Sequence, residues 1–226
     1  MLAIYTMLSI TLYAQDSTLI FIEADRNVSD VLTPARIYQF PKFVKGKILF
    51  RDGNWSEGML NYNFLNAEIE FINPDNDTLA IAKNQMLNIQ EVMIDTQSFV
   101  YDNGYMELVA KTSLGKLFKK QMYVVKKREK IGGYNQPIST TSMESYGSFA
   151  DNYGNIFTGL KIRENITLAL RTEYFISREI NPFLPATKKN MMSLYRSKKD
   201  QIESYLKKNP VDFKNGNDLK KMFESI

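Results

Sequence analysis

The residues that could do chemistry in this chain are few and of a restricted kind. There is no histidine and no cysteine among its 226 residues, which removes Ser-His-Asp and Cys-His nucleophiles and the usual zinc and haem ligand sets. Carboxylate, lysine, tyrosine and hard-metal chemistry are left. Glu68 and Glu70 stand two apart, hence on one face of a strand, as a carboxylate pair for sugar hydrolysis would. Their neighbours Ile69 and Phe71 supply the core face, so both glutamates are expected to point to water. Ser113 with Lys116, and Ser204 with Lys207, have the spacing of serine–lysine acyl enzymes, but the accompanying Ser-Asp-Asn and Lys-Thr-Gly elements are missing. Gly53 and Gly58 are spaced as in a phosphate loop, yet Met59 and Leu60 stand where Lys and Ser or Thr are required. Asn73 to Thr78 is rich in oxygen ligands but lacks the central Gly and distant Glu of an EF-hand loop, and reads as a turn. No catalytic, cofactor-binding or metal-ligating residue is assigned. A hydrolase built on carboxylates alone is the weakest of the readings kept.

Binding chemistry is better represented. The net charge of +4 is modest, but it is unevenly spread: from Lys111 to Lys130 eight basic residues face Glu129 alone. Lys116, Lys119, Lys120, Lys126, Lys127 and Arg128 are therefore candidate contacts for an anionic lipid, polysaccharide or nucleic acid, because clustered cations gain by releasing counterions. The bland alternative is a solubilising strand edge. Trp55, the single tryptophan, directly follows an Asp-Gly turn, where it either contacts a partner or folds over a barrel mouth. Tyr134, Tyr146, Phe149 and Tyr153 lie in a Gly-, Ser- and Asn-rich stretch from Ile131 to Gly159, the composition of an adaptable contact loop.

The elements that must position these residues are mostly strands. Alternating apolar and polar residues predict strands near Arg36 to Phe40, Lys45 to Arg51, Ser56 to Phe64, Ala67 to Ile72, Thr78 to Ala82, Ile89 to Ile94, Ser98 to Tyr101, Tyr105 to Lys111, Leu117 to Val125 and Ile166 to Ile176. Asp52-Gly53, Asn73 to Asp77 and Asp102-Asn103-Gly104 mark turns between them. From Pro185 the period becomes helical. Thr187 is expected to cap a first helix, Ser197 to Asp200 to form a capping box for a second, and Asn217 to cap a third, with apolar stripes at Met191, Leu194 and Tyr195, at Ile202, Tyr205 and Leu206, and at Leu219, Met222, Phe223 and Ile226. Helices this short must dock their stripes on the β part or on a partner. The expected fold class is α+β, mainly β: an antiparallel small barrel or roll of SH3- or Sm-like meander type, with a short C-terminal helical segment. A β-rich domain over 15–180 and docked helices over 185–226 follow.

Met1 to Ala14 is uncharged and apolar and ends in Tyr-Ala before Gln15, the pattern of a signal peptide cleaved after Ala14, although the first basic residue is Arg26. The run is too short to span a membrane. The segments KGKILFRDGNWSEGMLNY (Lys45 to Tyr62), FLPATKKN (Phe183 to Asn190) and IESYLKKNPVDFKNGNDLKKMF (Ile202 to Phe223) resemble a group of exported proteins of unknown function common in Bacteroidota. The resemblance implies an extracytoplasmic location and a β-rich body with a helical tail. It carries no site residues. The reading is a non-catalytic binding or scaffolding protein of the cell envelope, periplasmic, outer-membrane associated or extracellular, whose partner is another envelope protein or an anionic polymer or lipid.

Overall fold

The structure, a computed structural model, describes residues 19–132, 137–138, 162–179 and 182–226. Residues 1–14, expected to form a leader, and the aromatic candidates Tyr134, Tyr146, Phe149 and Tyr153 lie outside the described residues.

Two antiparallel meanders make up most of the sheet. The first is β2 (Val44–Phe50), β3 (Trp55–Asn63), β4 (Glu68–Ile72) and β5 (Thr78–Ala80); the second is β6 (Ile89–Ile94), β7 (Gln97–Tyr101), β8 (Tyr105–Lys111) and β9 (Lys116–Ile131). Preceding them are β1 (Leu19–Ile22) and two single-turn helices, α1 (Val28–Val31) and α2 (Pro34–Ile37); α3 (Lys83–Met86) links the meanders. They join where β6 pairs with β2, and β9 pairs along its length with β11 (Glu164–Ser177), which also takes β1. The sheet order is β1-β11-β9-β8-β7-β6-β2-β3-β4-β5, with β10 (Pro137–Ile138) on β9 and β12 (Leu184–Pro185) on β11.

The antiparallel, mainly β class is as expected, but of the small barrel or roll expected the sheet is an open form, because its two ends, β1 and β5, each pair on one side only among the described residues. It is nevertheless strongly curled. The end of the β3–β4 hairpin returns to the second meander, where Tyr123 N donates to Phe64 O at 2.8 Å and Tyr105 N donates to Ala67 O at 2.7 Å. Ala67 reaches this position with φ +53, and the Asn103-Gly104 turn takes φ +49 and +112, the left-handed values that Asn and Gly tolerate best. Inside the curl, Leu60, Tyr62, Ile69, Val92, Ile94, Phe99 and their neighbours form one core; a second lies between β1, α1 and the β9–β11 ribbon.

The third core is the docking site of the C-terminal helices, α4 (Lys188–Leu194), α5 (Lys199–Lys208) and α6 (Gly216–Ser225). Met191, Tyr195, Ile202, Leu219, Met222 and Phe223 are buried against Leu117 and Ile176, so the stripes dock on the β body as the periodicity requires. Thr187 Oγ1 accepts from Asn190 N and caps α4 as expected. Two expected caps differ. A 3-10 turn, Arg196–Lys198, leads into α5 without a side-chain cap, and α6 is capped by Asn215, whose side chain accepts from the N–H groups of Asn217 and Asp218. Arg36 to Phe40 is likewise no strand: Pro34 at the first helical position opens α2, and only Tyr38 bridges to Asn63. Strands β9 and β11 run past the expected ends, since each is the other's partner. Among the described residues no helix is long and apolar enough to cross a membrane.

Candidate functional site

The basic run on β9 is distributed by the pleat and met by acids from its neighbours. Glu107 on β8 is directly opposite Lys119 and pairs with it at 2.8 Å, Arg128 pairs with Glu164 of β11 at 3.1 Å, and Lys127 pairs with Glu129. Lys120 is opposite Glu173; it donates to Asn103 O, and burial holds its ammonium below the usual lysine range against the pull of Glu173 and Asp102. Lys119 and Lys120, adjacent in sequence, point to opposite faces of the strand. Lys126 sits at a bulge where the register with β11 slips between Thr167 and Leu168, and it is exposed together with Lys127. Lys116 is half-buried at the far end of β9. Lys126 is ten steps along the strand from Lys116, about 33 Å of rise, so the six candidates do not form one patch.

The segment that follows α2 acts as a strap held on both sides. Tyr38 donates its hydroxyl to Glu70 Oε2, and Asn63 Nδ2 donates to Glu70 Oε1 at 2.7 Å. Burial, reinforced by the Glu70 carboxylate, raises the Tyr38 phenol well above its ordinary value. The next residue, Gln39, donates to Gln97 Oε1 and to Glu107 Oε2, the carboxylate that also holds Lys119. Buried Asn61 completes the attachment by accepting from Phe40 N at 3.1 Å and donating to Phe40 O at 2.9 Å. Glu70 is therefore a structural acceptor and not the solvated carboxylate expected; Glu68 stays on the same face, where Asn66 Nδ2 donates to it at 3.3 Å. In the Asn73–Asp77 segment, Asp77 N donates to Asn73 Oδ1 at 2.7 Å and Asn73 N donates to Asp77 O at 3.0 Å, a self-satisfied turn. Among the described residues no group of three or more acidic side chains could hold a metal ion.

An exposed apolar group lies on the face of β6, β2 and β3 that turns away from the core. Val92 and Ile94, Val44 and Ile48, and Leu60 and Tyr62 point inward, so strand alternation sends Met93, Lys45, Lys47 and Leu49, and Trp55, Glu57 and Met59 outward. The register aligns Leu49 with Trp55 and Lys47 with both Glu57 and Met93. Trp55 is 55% exposed, Met93 43% and Met59 38%. Lys47 Nζ lies 3.9 Å from the Trp55 ring centroid, a cation–π contact that fixes the ring on this face. Trp55 thus lies on an open sheet face and covers no barrel mouth. Met59 and Met93 were legible as outward residues once alternation was applied to β3 and β6. The Gln39, Gln97 and Glu107 set had no local signal, since its members are 58 and 68 residues apart.

Comparison with protein-family models, with curated proteins and with solved structures found no match to the chain.

Proposed function

We propose that this is a non-catalytic, extracytoplasmic binding or scaffolding protein of the cell envelope, acting on a protein partner through the outward face of β6, β2 and β3. The unit from β2 to β6, a meander whose fifth strand returns to its first, serves as a small SH3- or Sm-like platform for that face. The observation that carries the reading is the exposed trio Trp55, Met59 and Met93, with Lys47 stacked on the tryptophan. Aromatic and methionine side chains among charged ones are the composition of a contact centre, and soft methionines adapt to a partner. The leader pattern and the resemblance to exported Bacteroidota proteins support an envelope location. The paired state of Lys119, Lys127 and Arg128 weighs against a purely anionic partner.

The test places a photo-crosslinking residue at Glu57, between Trp55 and Met59, and irradiates intact cells. A discrete adduct in the envelope fraction, identified by mass spectrometry and absent when Trp55→Ser and Met93→Ser are combined, is the expected result. An adduct unaffected by that double variant, or none at all, refutes the assignment of this face.

A further inference from the structure

A second surface feature, separate from the Trp55 face, is a cleft of about 570 Å³ at the end of the sheet, between the β2–β3 turn and α3. Its lining is Phe50, Arg51, Asp52, Asn54, Gln85 and Asn88. Five of the six side chains are polar and planar, and the sixth is an aromatic ring.

The two walls are tied by one main-chain and one side-chain bond, both from Arg51. Arg51 N donates to Asn88 O at 2.8 Å, Arg51 Nε donates to Leu87 O at 2.9 Å, and Asn88 N donates to Gln85 O at 2.9 Å. The turn is closed by Phe50 N donating to Asn54 O at 2.9 Å and by Gly53, whose φ of +88 suits glycine. Asp52 is held in one orientation because Asn54 N donates to its Oδ1 and Asn54 Nδ2 donates to its Oδ2, each at 2.9 Å. These two bonds also keep the carboxyl below its ordinary range, so it is ionised at neutral pH. Among the described residues the terminal nitrogens of Arg51 and the side-chain amides of Gln85 and Asn88 have no hydrogen-bond partner in the protein.

We propose that this cleft binds a neutral saccharide. Amides, a guanidinium and a carboxylate each present two polar atoms in a plane, the spacing that matches vicinal hydroxyls, and Phe50, half-buried against the core, closes the lining on its apolar side. Charge selects against other small ligands. The fixed Asp52 carboxylate repels an inorganic anion from Arg51, and Arg51 repels a lone cation from Asp52, whereas an uncharged polyol uses both. Because the walls are tied before any ligand arrives, the ordering cost of binding is confined to the exposed side-chain ends of Arg51, Gln85 and Asn88. The volume matches a mono- or disaccharide. Nothing in this inference depends on the Trp55 face, and either can fail alone.

Trp55, the single tryptophan, directly follows Asn54 and reports on the cleft. The chain is titrated with cellobiose, chitobiose, lactose and maltose, following tryptophan emission and backbone amide spectra. At least one sugar is expected to bind with a dissociation constant of about 1 mM or tighter, shifting the amides of Arg51 to Asn54 and of Gln85 to Asn88. Gln85→Leu and Asn88→Leu, both at exposed positions and with side chains outside the bonds that tie the walls, should each weaken it about tenfold without lowering the melting temperature, while Asn209→Leu leaves it unchanged. The inference is overturned if no sugar shifts these signals at about 20 mM, if shifts map elsewhere, if the two cleft variants bind normally, or if sulfate alone reproduces the shifts.

Discussion

The phenol of Tyr62 donates to the main-chain oxygen of Gln121 at 2.7 Å and lies 3.2 Å from that of Tyr105, so a residue of β3 closes the curl against β8 and β9. Its ring stacks on Phe99, with centroids 5.4 Å apart and planes 19° from parallel. Tyr62→Phe keeps the ring and removes the hydroxyl proton shared by these two carbonyls. The expected loss of stability is about 1–3 kcal/mol, read from the midpoint of urea unfolding with an unchanged slope.

Gly115 permits the C-terminal helices to dock. Its φ is +155, and a Cβ there would come within 2.5 Å of Ser177 O and 2.7 Å of the Tyr195 hydroxyl. Because one of these is backbone, a side chain cannot be absorbed by a rotamer change. Gly115→Ala should cost about 2 kcal/mol or more, and proteolysis should then cut first between Pro185 and Ile226.

Alkaline pH should unfold the protein in a defined window. Burial raises the phenols of Tyr62 and Tyr105 well above the ordinary value of 10.0 and pushes Tyr195 up to about 12. Between those limits the folded state keeps protons that the unfolded state releases, so stability is complete below about pH 10 and falls as pH rises through the folded values. Absorbance at 295 nm should show these tyrosines ionising together with the loss of far-ultraviolet circular dichroism; their free titration near pH 10 in a folded chain would contradict the burial.

Glu107 holds two partners, Lys119 at 2.8 Å and Gln39 at 3.3 Å, in a mostly buried position. Glu107→Gln leaves an ammonium half-buried without its counter-charge. It should destabilise by about 1–3 kcal/mol, and Glu107→Gln with Lys119→Met should recover part of that loss. Additive effects in chemical denaturation would show that the pair is not coupled.

Trp55 should behave as a contact residue. Trp55→Ala is expected to lower stability by only about 0.5–1 kcal/mol, the size of an exposed cation–π contact. A loss near the roughly 3–5 kcal/mol of a core aromatic would mean that Trp55 holds the fold together.

The sequence by itself determined the local elements. Alternation is a nearest-neighbour property, so Ile89–Ile94 and Tyr105–Lys111 were legible residue for residue, and the Asp-Gly and Asn-Gly turns marked where strands reverse. The helical stripes of the tail were equally plain, because the 3.6-residue period survives whatever the stripe docks on. What tertiary structure decided is which strand lies beside which. The lysines of β9 read as an anionic-ligand patch until pairing brought Glu107 and Glu164 opposite them, acids 12 and 36 residues away in sequence. The Tyr38–Glu70 strap, the Tyr62 lock and the cleft walls of Arg51 and Asn88 have the same origin: each joins residues more than 30 positions apart. A one-residue change of register would exchange the faces of every side chain on a strand. Pairing partners are chosen by the burial of the whole sheet, and no local stretch of sequence carries that choice.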